Sequence, residues 1–224
     1  MPFMPETWGT FIPVFVTGWA LLLVGSHWEF WFVTVLGAAL LVVSFLILNF
    51  YRDFERAPKK ALKPRQFVSP ADGKVVVLKT ATEKFYLKKP SVHIAIFMNP
   101  LNNHVQRAPF DGKIAKKVYH KGKFMAAYDD KADLVNEQSH LVVDLMTPGP
   151  HSKKAGQMVI KQIAGLLCHR IRTTPNKGDR IERGKRIGRI LLGSRVDVFL
   201  PKGFKPSVKM GDQVLAGVTV LGEL

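Results

Sequence analysis

Val92-His93-Ile94-Ala95-Ile96-Phe97-Met98 is the stretch that decides the fold class. Val92, Ile94, Ile96 and Met98 fall on one face, the period-two pattern of a half-buried strand. Outward from it, Val75–Leu78 is a short apolar run after an Asp-Gly turn, and Leu141–Leu145 and Ile187–Leu192 read similarly. Gly, Pro, Asn and Asp bound these runs, as turn residues do between strands. Met158–Ile171 fits a strand or a short helix by periodicity, and its Ala164-Gly165 break favours strands. Residues 67–224 are therefore expected to form a mainly β domain.

Two internal echoes refine this. Pro70-Ala71-Asp72-Gly73-Lys74-Val75 recurs as Pro109-Phe110-Asp111-Gly112-Lys113-Ile114. Gly178-Asp179-Arg180-Ile181-Glu182-Arg183-Gly184 recurs as Gly211-Asp212-Gln213-Val214-Leu215-Ala216-Gly217. Each places an Asp-containing turn before an apolar residue that enters a strand. The second echo resembles the turns of lipoyl- and biotinyl-type domains, so a barrel-sandwich-like β domain is expected. Those carriers present a modified lysine on a hairpin, and no matching lysine hairpin is evident.

The N-terminus has a different character. Apolar runs from about Trp8 to Val24 and from about Trp31 to Phe50 each reach the roughly 17–25 residues a helix needs to cross a bilayer. Ser26, His27, Trp28, Glu29 and Phe30 separate them, which favours a transmembrane helical hairpin over one span with an interfacial helix. Trp8, Trp28, Trp31 and Tyr51 stand where aromatic belts form. Pro13 and Gly18 make the first run the weaker. A signal peptide competes, but no basic segment precedes the apolar run. The expected organisation is an anchor at 1–50, a basic linker at 51–66 and a β-rich domain at 67–224.

Charge orients the anchor. No Lys or Arg precedes Arg52, so all 33 follow the second run against 15 acidic residues, a net +18 on residues 51–224. Arg52, Arg56, Lys59, Lys60, Lys63 and Arg65 come directly after it. By the positive-inside rule this end is cytoplasmic, at the cell membrane, and a hairpin brings both termini there. Each basic group gains on the order of 1 kcal/mol from an anionic lipid surface. The same charge admits a nucleic-acid binder, but no strand face interleaves aromatic with basic residues, and no nucleic-acid partner is expected. Cys168 is alone, which removes a disulfide framework and a cysteine-rich metal site.

Familiar catalytic motifs are missing: no G-x-S-x-G elbow, no Walker A loop, no H-E-x-x-H. The seven histidines are scattered and no metal is expected. The unusual segment is Leu191-Leu192-Gly193-Ser194-Arg195-Val196-Asp197-Val198-Phe199-Leu200-Pro201. In a strand, Ser194 shares its face with Leu192, Val196, Val198 and Leu200, a hydroxyl on the core side directly after a glycine. Periodicity alone reads this as a small residue beside a β-bulge. A carbonyl at Gly193 next to a nucleophilic hydroxyl is the functional alternative.

The stretch from Gly178-Asp179 through Gly193-Ser194-Arg195 to Phe199-Leu200-Pro201 closely resembles the processing site of the short, archaeal-type phosphatidylserine decarboxylase proenzymes. Ser69-Pro70-Ala71-Asp72-Gly73-Lys74 resembles that family's aspartate motif, Met98-Asn99-Pro100-Leu101-Asn102-Asn103-His104-Val105 its histidine motif, and Asn136-Glu137 its Asn-Glu element. The matches run in family order over residues 66–224, and the apolar hairpin before a basic linker also suits the family.

The resemblance implies a pyruvoyl-dependent carboxy-lyase that converts phosphatidylserine in the membrane to phosphatidylethanolamine. Ser194 would attack the Gly193 carbonyl, the chain would part between Gly193 and Ser194, and Ser194 would become a covalent pyruvoyl group that forms a Schiff base with the substrate amine. The large and small chains would stay together as a heterodimer, and a further oligomer is left open. His104 would be the base and Asp72 would orient it. Two departures bear on this. Other branches carry a second histidine where this chain has Gln106-Arg107, and Asn99-Pro100 stands where Ser-Pro is common. The first leaves open whether His104 serves both cleavage and decarboxylation, with His93 as the fallback. Read without the family, Asp72 is a turn residue like Asp111, and a non-enzymatic, membrane-tethered β-sandwich adaptor would account for the turns.

Overall fold

The structure is a computed structural model that describes residues 7–58, 61–125, 132–147, 154–166, 171–190 and 194–224. It divides into two compact units, residues 1–55 and 56–224. In the first, α1 (Thr7–His27) and α2 (Trp31–Phe50) form an antiparallel pair. Glycines set how closely they pack: a Cβ on Gly37 would lie 2.4 Å from the Leu22 nitrogen, and one on Gly25 2.5 Å from the Thr34 nitrogen. Small residues allow such backbone approach between apolar helices. Both helices are long and apolar enough to cross a membrane, and many of their large apolar side chains, Ile12, Trp19, Leu23, Phe32, Phe45 and Leu46 among them, are exposed. Helices of a soluble core would bury those side chains.

The second unit is mainly β, as the periodicity predicts. Its eight-stranded antiparallel sheet curls on itself in the order β13 (Gln213–Val214), β2 (Gly73–Thr82), β3 (Pro90–Met98), β11 (Ser194–Pro201), β7 (Lys154–Ile163), β6 (Gln138–Met146), β5 (Gly112–His120) and β9 (Arg180–Ile181). One small sheet joins β1 (Gln66–Val68), β14 (Val220–Glu223) and β12 (Lys205–Pro206). Another joins β4 (Val105–Arg107), β10 (Arg186–Ile190) and β8 (Ile171–Thr173). A single turn of helix, α3 (Ala132–Val135), precedes β6. Within the ambiguous run Met158–Ile171, Met158–Ile163 closes β7, Ala164-Gly165 lies outside any strand, and Ile171 opens β8.

The two faces of the sheet differ. Ile94, Ile96 and Met98 of β3 pack with Val196, Val198 and Leu200 of β11 in the main core. The opposite face carries a smaller cluster of Val142, Val159 and Phe199, over which Tyr86 and Leu87 fold. Between these apolar patches the outer face buries His93, Asp197, Arg195, Lys161 and His140. Buried charges persist only when paired or hydrogen-bonded, so this row is built rather than incidental.

Candidate active site

Ser194 is the first residue of β11 and lies opposite Met98, the last of β3. Arg195 lies opposite Ile163, the last of β7. The residue expected to be cut thus sits at the sheet's end, with ladder hydrogen bonds holding the chain on its far side. Gly193 lies outside the described residues. Ser194 is fully buried, and its Oγ has no hydrogen-bond partner among the described residues. A buried hydroxyl left so costs about 1–3 kcal/mol, an expense rarely met away from functional sites.

Three asparagines shape the turn that delivers His104. Asn99 Oδ1 accepts the N–H groups of Leu101 (2.9 Å) and Asn102 (3.1 Å), and Asn102 Oδ1 accepts that of Asn99 (2.9 Å). Asn103 Oδ1 accepts the Val105 N–H at 2.8 Å, where β4 begins. His104 itself is fully buried. Its Nδ1 lies 2.8 Å from the Asn102 carbonyl oxygen. A carbonyl only accepts, so Nδ1 carries the proton and the neutral ring keeps its lone pair on Nε2.

Two paths tie His104 to the end of the sheet where Ser194 sits. The Ile190 N–H reaches the His104 carbonyl at 3.4 Å, shortly before Ser194 in the chain. Gln106 Nε2 donates to the His104 carbonyl at 2.9 Å and lies 3.6 Å from the sulfur of Met98. Gln106 Oε1 in turn accepts from Gln162 Nε2 at 3.0 Å, and Gln162 Oε1 accepts from Thr173 at 2.6 Å. Gln106 entered the sequence reading only as a departure from the family pattern and Gln162 not at all, because a buried glutamine in a strand looks like any polar residue facing solvent.

Asp72 is 3% exposed. Its Oδ1 accepts the Ala216 N–H at 2.8 Å, and its carboxylate pairs with the Arg56 guanidinium, Nη2 to Oδ2 at 3.0 Å. Arg56, from the stretch read as linker, thus belongs with the β unit. The preceding Pro70 carbonyl accepts the Arg107 N–H of β4 at 2.8 Å. The bond at His104 Nδ1 is made by Asn102, and the Asp72 turn braces the strand that His104 leads into. Asn136 is a strap: its Nδ2 donates to the carbonyls of Ala164 (2.7 Å) and Met125 (2.8 Å), just beyond the end of β7.

His93 points to the outer face. Its Nε2 is 2.7 Å from Asp197 Oδ2, and its ring stacks on Phe199 at 4.2 Å. Arg195 completes the group, with Nε to Asp197 Oδ1 at 2.6 Å and Nη2 to Oδ2 at 2.8 Å. Burial works to raise the Asp197 carboxyl, but the His93 hydrogen bond and the Arg195 guanidinium outweigh it and hold it below the ordinary value. Since Val196 and Val198 turn into the core, the alternation of β11 takes Arg195 and Asp197 to the side away from the Ser194 hydroxyl.

The sequence profile described as Phosphatidylserine decarboxylase matches residues 44–222. The chain belongs to the phosphatidylserine decarboxylase family. Among curated members, it is 39% identical over 190 residues to the phosphatidylserine decarboxylase proenzyme of Geotalea uraniireducens, covering 85% of this chain and 84% of that protein. The proenzyme of Symbiobacterium thermophilum is 37% identical over 208 residues, 92% of this chain and 88% of the relative. That of Cupriavidus metallidurans is 39% identical over 184 residues, 82% and 80% of the two. Membership of this decarboxylase family makes the chain an enzyme of phospholipid metabolism and removes the adaptor reading.

Proposed function

We propose that this chain is a membrane-anchored proenzyme that cuts itself before Ser194 and then decarboxylates phosphatidylserine to phosphatidylethanolamine. The observation that carries the reading is the buried, unsatisfied Ser194 hydroxyl at the head of β11, in a chain whose relatives are named proenzymes. In the cut, Ser194 Oγ attacks the Gly193 carbonyl carbon and gives its proton to a base. The nitrogen of residue 194 takes a proton and leaves, so the peptide bond becomes an ester. Removal of the Cα proton then expels the Gly193 carboxylate and leaves dehydroalanine at position 194. Addition of water and loss of ammonia leave a pyruvoyl cap on residues 195–224.

His104 is the base, through the Nε2 lone pair that the Asn102 carbonyl fixes by holding the Nδ1 proton. Asp72 acts as a positioning residue through its turn and Arg56. The residues at the sheet's end fit the modified group: position 194 is enclosed, and β3 and β7 grip the strand that follows it. A pyruvoyl group there supplies an electron sink for the charge left as CO2 departs. The chain's own residues keep water out at the buried end of the sheet, and His104 returns a proton to the substrate carbon. Residues 1–193 and 194–224 stay together as one heterodimer, because β11 pairs over most of its length with strands of the larger chain. The helix pair anchors the enzyme, and the basic stretch after it places the β unit on the cytoplasmic side of the cell membrane, against anionic lipid.

Intact mass spectrometry of the purified wild-type protein tests this. Two chains are expected, the smaller without a free amino terminus. Phosphatidylserine should lose CO2 without added pyridoxal phosphate or metal, and hydroxylamine should stop the reaction. A single uncut chain with unmodified Ser194, under conditions that allow turnover, overturns the reading.

A further inference from the structure

Lys161 carries a charge for which the proposed chemistry has no use. It projects from β7 on the outer face of the sheet and is 3% exposed. Its ammonium lies 4.8 Å from the centre of the Phe199 ring and 5.0 Å from that of Phe85. Glu83 Oε1 is 3.8 Å from Nζ, too far for a hydrogen bond. The Glu83 oxygens are already committed to the N–H groups of Phe85 (3.1 Å), Tyr86 (2.6 Å) and Leu87 (2.9 Å). The three donors of the Lys161 ammonium therefore meet no acceptor among the described residues. Burial pulls its pKa below the ordinary lysine value, and the Glu83, Asp133 and Asp197 carboxylates oppose that pull.

The same ammonium borders a cavity of about 240 Å³, also lined by Lys79, Lys84, Arg195 and Asp133. Arg195 is occupied with Asp197, which leaves three lysines against Asp133 and the neighbouring Glu83. Lys79 comes from β2, Lys84 from the segment that folds over the sheet, and Lys161 from the floor, so they approach from different sides. Point-like ammonium donors arranged in that way suit a tetrahedral oxyanion better than a planar carboxylate, which arginine forks match. Ligand sites for drug-sized molecules run to roughly 300–1,000 Å³, so this cavity takes a smaller group. The small excess of positive charge suits one phosphate and not a polyphosphate.

We propose that this outer-face cavity binds a single phosphate-bearing anion, either a soluble phosphate ester or the head group of an anionic phospholipid, through Lys161, Lys79 and Lys84. The site is separate from the one at Ser194, because it lies on the other face of β11. Its occupant supplies acceptors that Lys161 otherwise lacks and presses on the strand whose first residue is Ser194.

Calorimetric titration of the full-length protein with glycerol 3-phosphate and with inorganic phosphate tests the proposal, first in nanodiscs of neutral phosphatidylcholine. Saturable one-site binding is expected. Lys161→Met should weaken it by about ten- to a hundredfold, the worth of a hydrogen bond to a charged group. Lys84→Ala, at an exposed position where folding is not at stake, should weaken it several-fold. Adding phosphatidylglycerol to the nanodiscs separates the sources. Lost apparent affinity for glycerol 3-phosphate identifies a lipid head group as the occupant, and unchanged affinity identifies a soluble ester. No saturable binding of either probe in either nanodisc overturns the proposal, as does wild-type affinity in both lysine variants.

Discussion

Asp72 and Asp111 do the same thing at equivalent places in the chain. Asp72 Oδ1 accepts the Ala216 N–H and Asp111 Oδ1 accepts the Arg183 N–H, both at 2.8 Å. Each acceptor holds a turn-rich segment that starts at a left-handed glycine, Gly211 at φ +94° and Gly178 at φ +95°. The sequence echoes are thus a real internal repeat, and only Asp72 adds an ion pair, to Arg56. Asparagine keeps the accepting oxygen and removes the charge. Asp111→Asn should therefore process at the wild-type rate, while Asp72→Asn should slow the cut without abolishing it. Gel densitometry of the two chains over time reads this. Equal rates in both variants would confine Asp72 to its turn.

His104→Ala should slow self-cleavage by about 10²–10⁴-fold, the usual worth of a general base. Gln106→Leu removes the side-chain donor to the His104 carbonyl and the link to Gln162 while leaving the imidazole and the Ile190 N–H in place. A smaller loss is expected there, read as a slower cut with an unchanged pH midpoint. Normal processing in His104→Ala would take the base role from His104. The outward-facing His93 would be a poor replacement, since it is engaged with Asp197.

The Arg195–Asp197 pair should matter more to stability than its surface counterparts. Both side chains are almost completely buried. Asp197→Ala leaves a buried guanidinium without its carboxylate, a change that costs about 3–5 kcal/mol in comparable pairs. The double variant Arg195→Met, Asp197→Ala should recover much of that loss, because an apolar pair needs no partner. Thermal unfolding of the Ser194→Ala chain, which cannot be cut, separates this effect from processing. A double variant no better than Asp197→Ala would show that the cost lies in His93 or in the void.

What could be read from the sequence follows from how local each cause is. Strands such as Val92–Met98 declare themselves because alternate residues meet the core, and the helical pair because its apolar runs have bilayer length. Ser194, His104 and Asp72 are proposed from ordered motifs alone, since no periodicity separates a serine that reacts from one beside a bulge. The outer-face row was invisible for a physical reason. His93, Lys161 and Asp197 alternate with core residues as solvent-facing polar residues would, and no local pattern announces that Tyr86 and Leu87 pack on this face of the sheet. Arg56 looked like linker because its partner, Asp72, lies 16 residues on, outside the reach of any local pattern.

Acid should weaken the β unit through His140. Burial lowers this histidine to about 3, helped by the charges of Lys161 and His120. Its neutral ring contacts Tyr86 Oη at 3.2 Å and Gln138 Oε1 at 2.6 Å. An unfolded histidine titrates near 6.5, so between about 6.5 and 3 the unfolded chain binds a proton that the folded one refuses. Stability contributed by His140 is then complete above about pH 6.5 and is lost progressively as pH falls toward 3. His140→Gln, which cannot take up that proton, should flatten the decline over this window. An unchanged slope in urea midpoints measured from pH 7 to pH 4 would assign the acid sensitivity to other groups.

Removing residues 1–55, one compact unit by itself, should convert a detergent-requiring protein into one that carbonate extracts. The truncated form keeps Lys59, Lys60, Lys63 and Arg65, so residual binding to anionic vesicles is expected at low salt. That binding should fade as ionic strength rises, because the screening length shrinks from about 10 Å at 0.1 M to about 3 Å at 1 M. Sedimentation with phosphatidylglycerol vesicles over that range measures it, and processing of the truncated chain serves as the control for folding. A truncated chain that is cut normally yet still needs detergent would move the anchor out of the helix pair. One held on vesicles regardless of salt would show that apolar contact, and not the basic stretch, keeps the β unit at the bilayer.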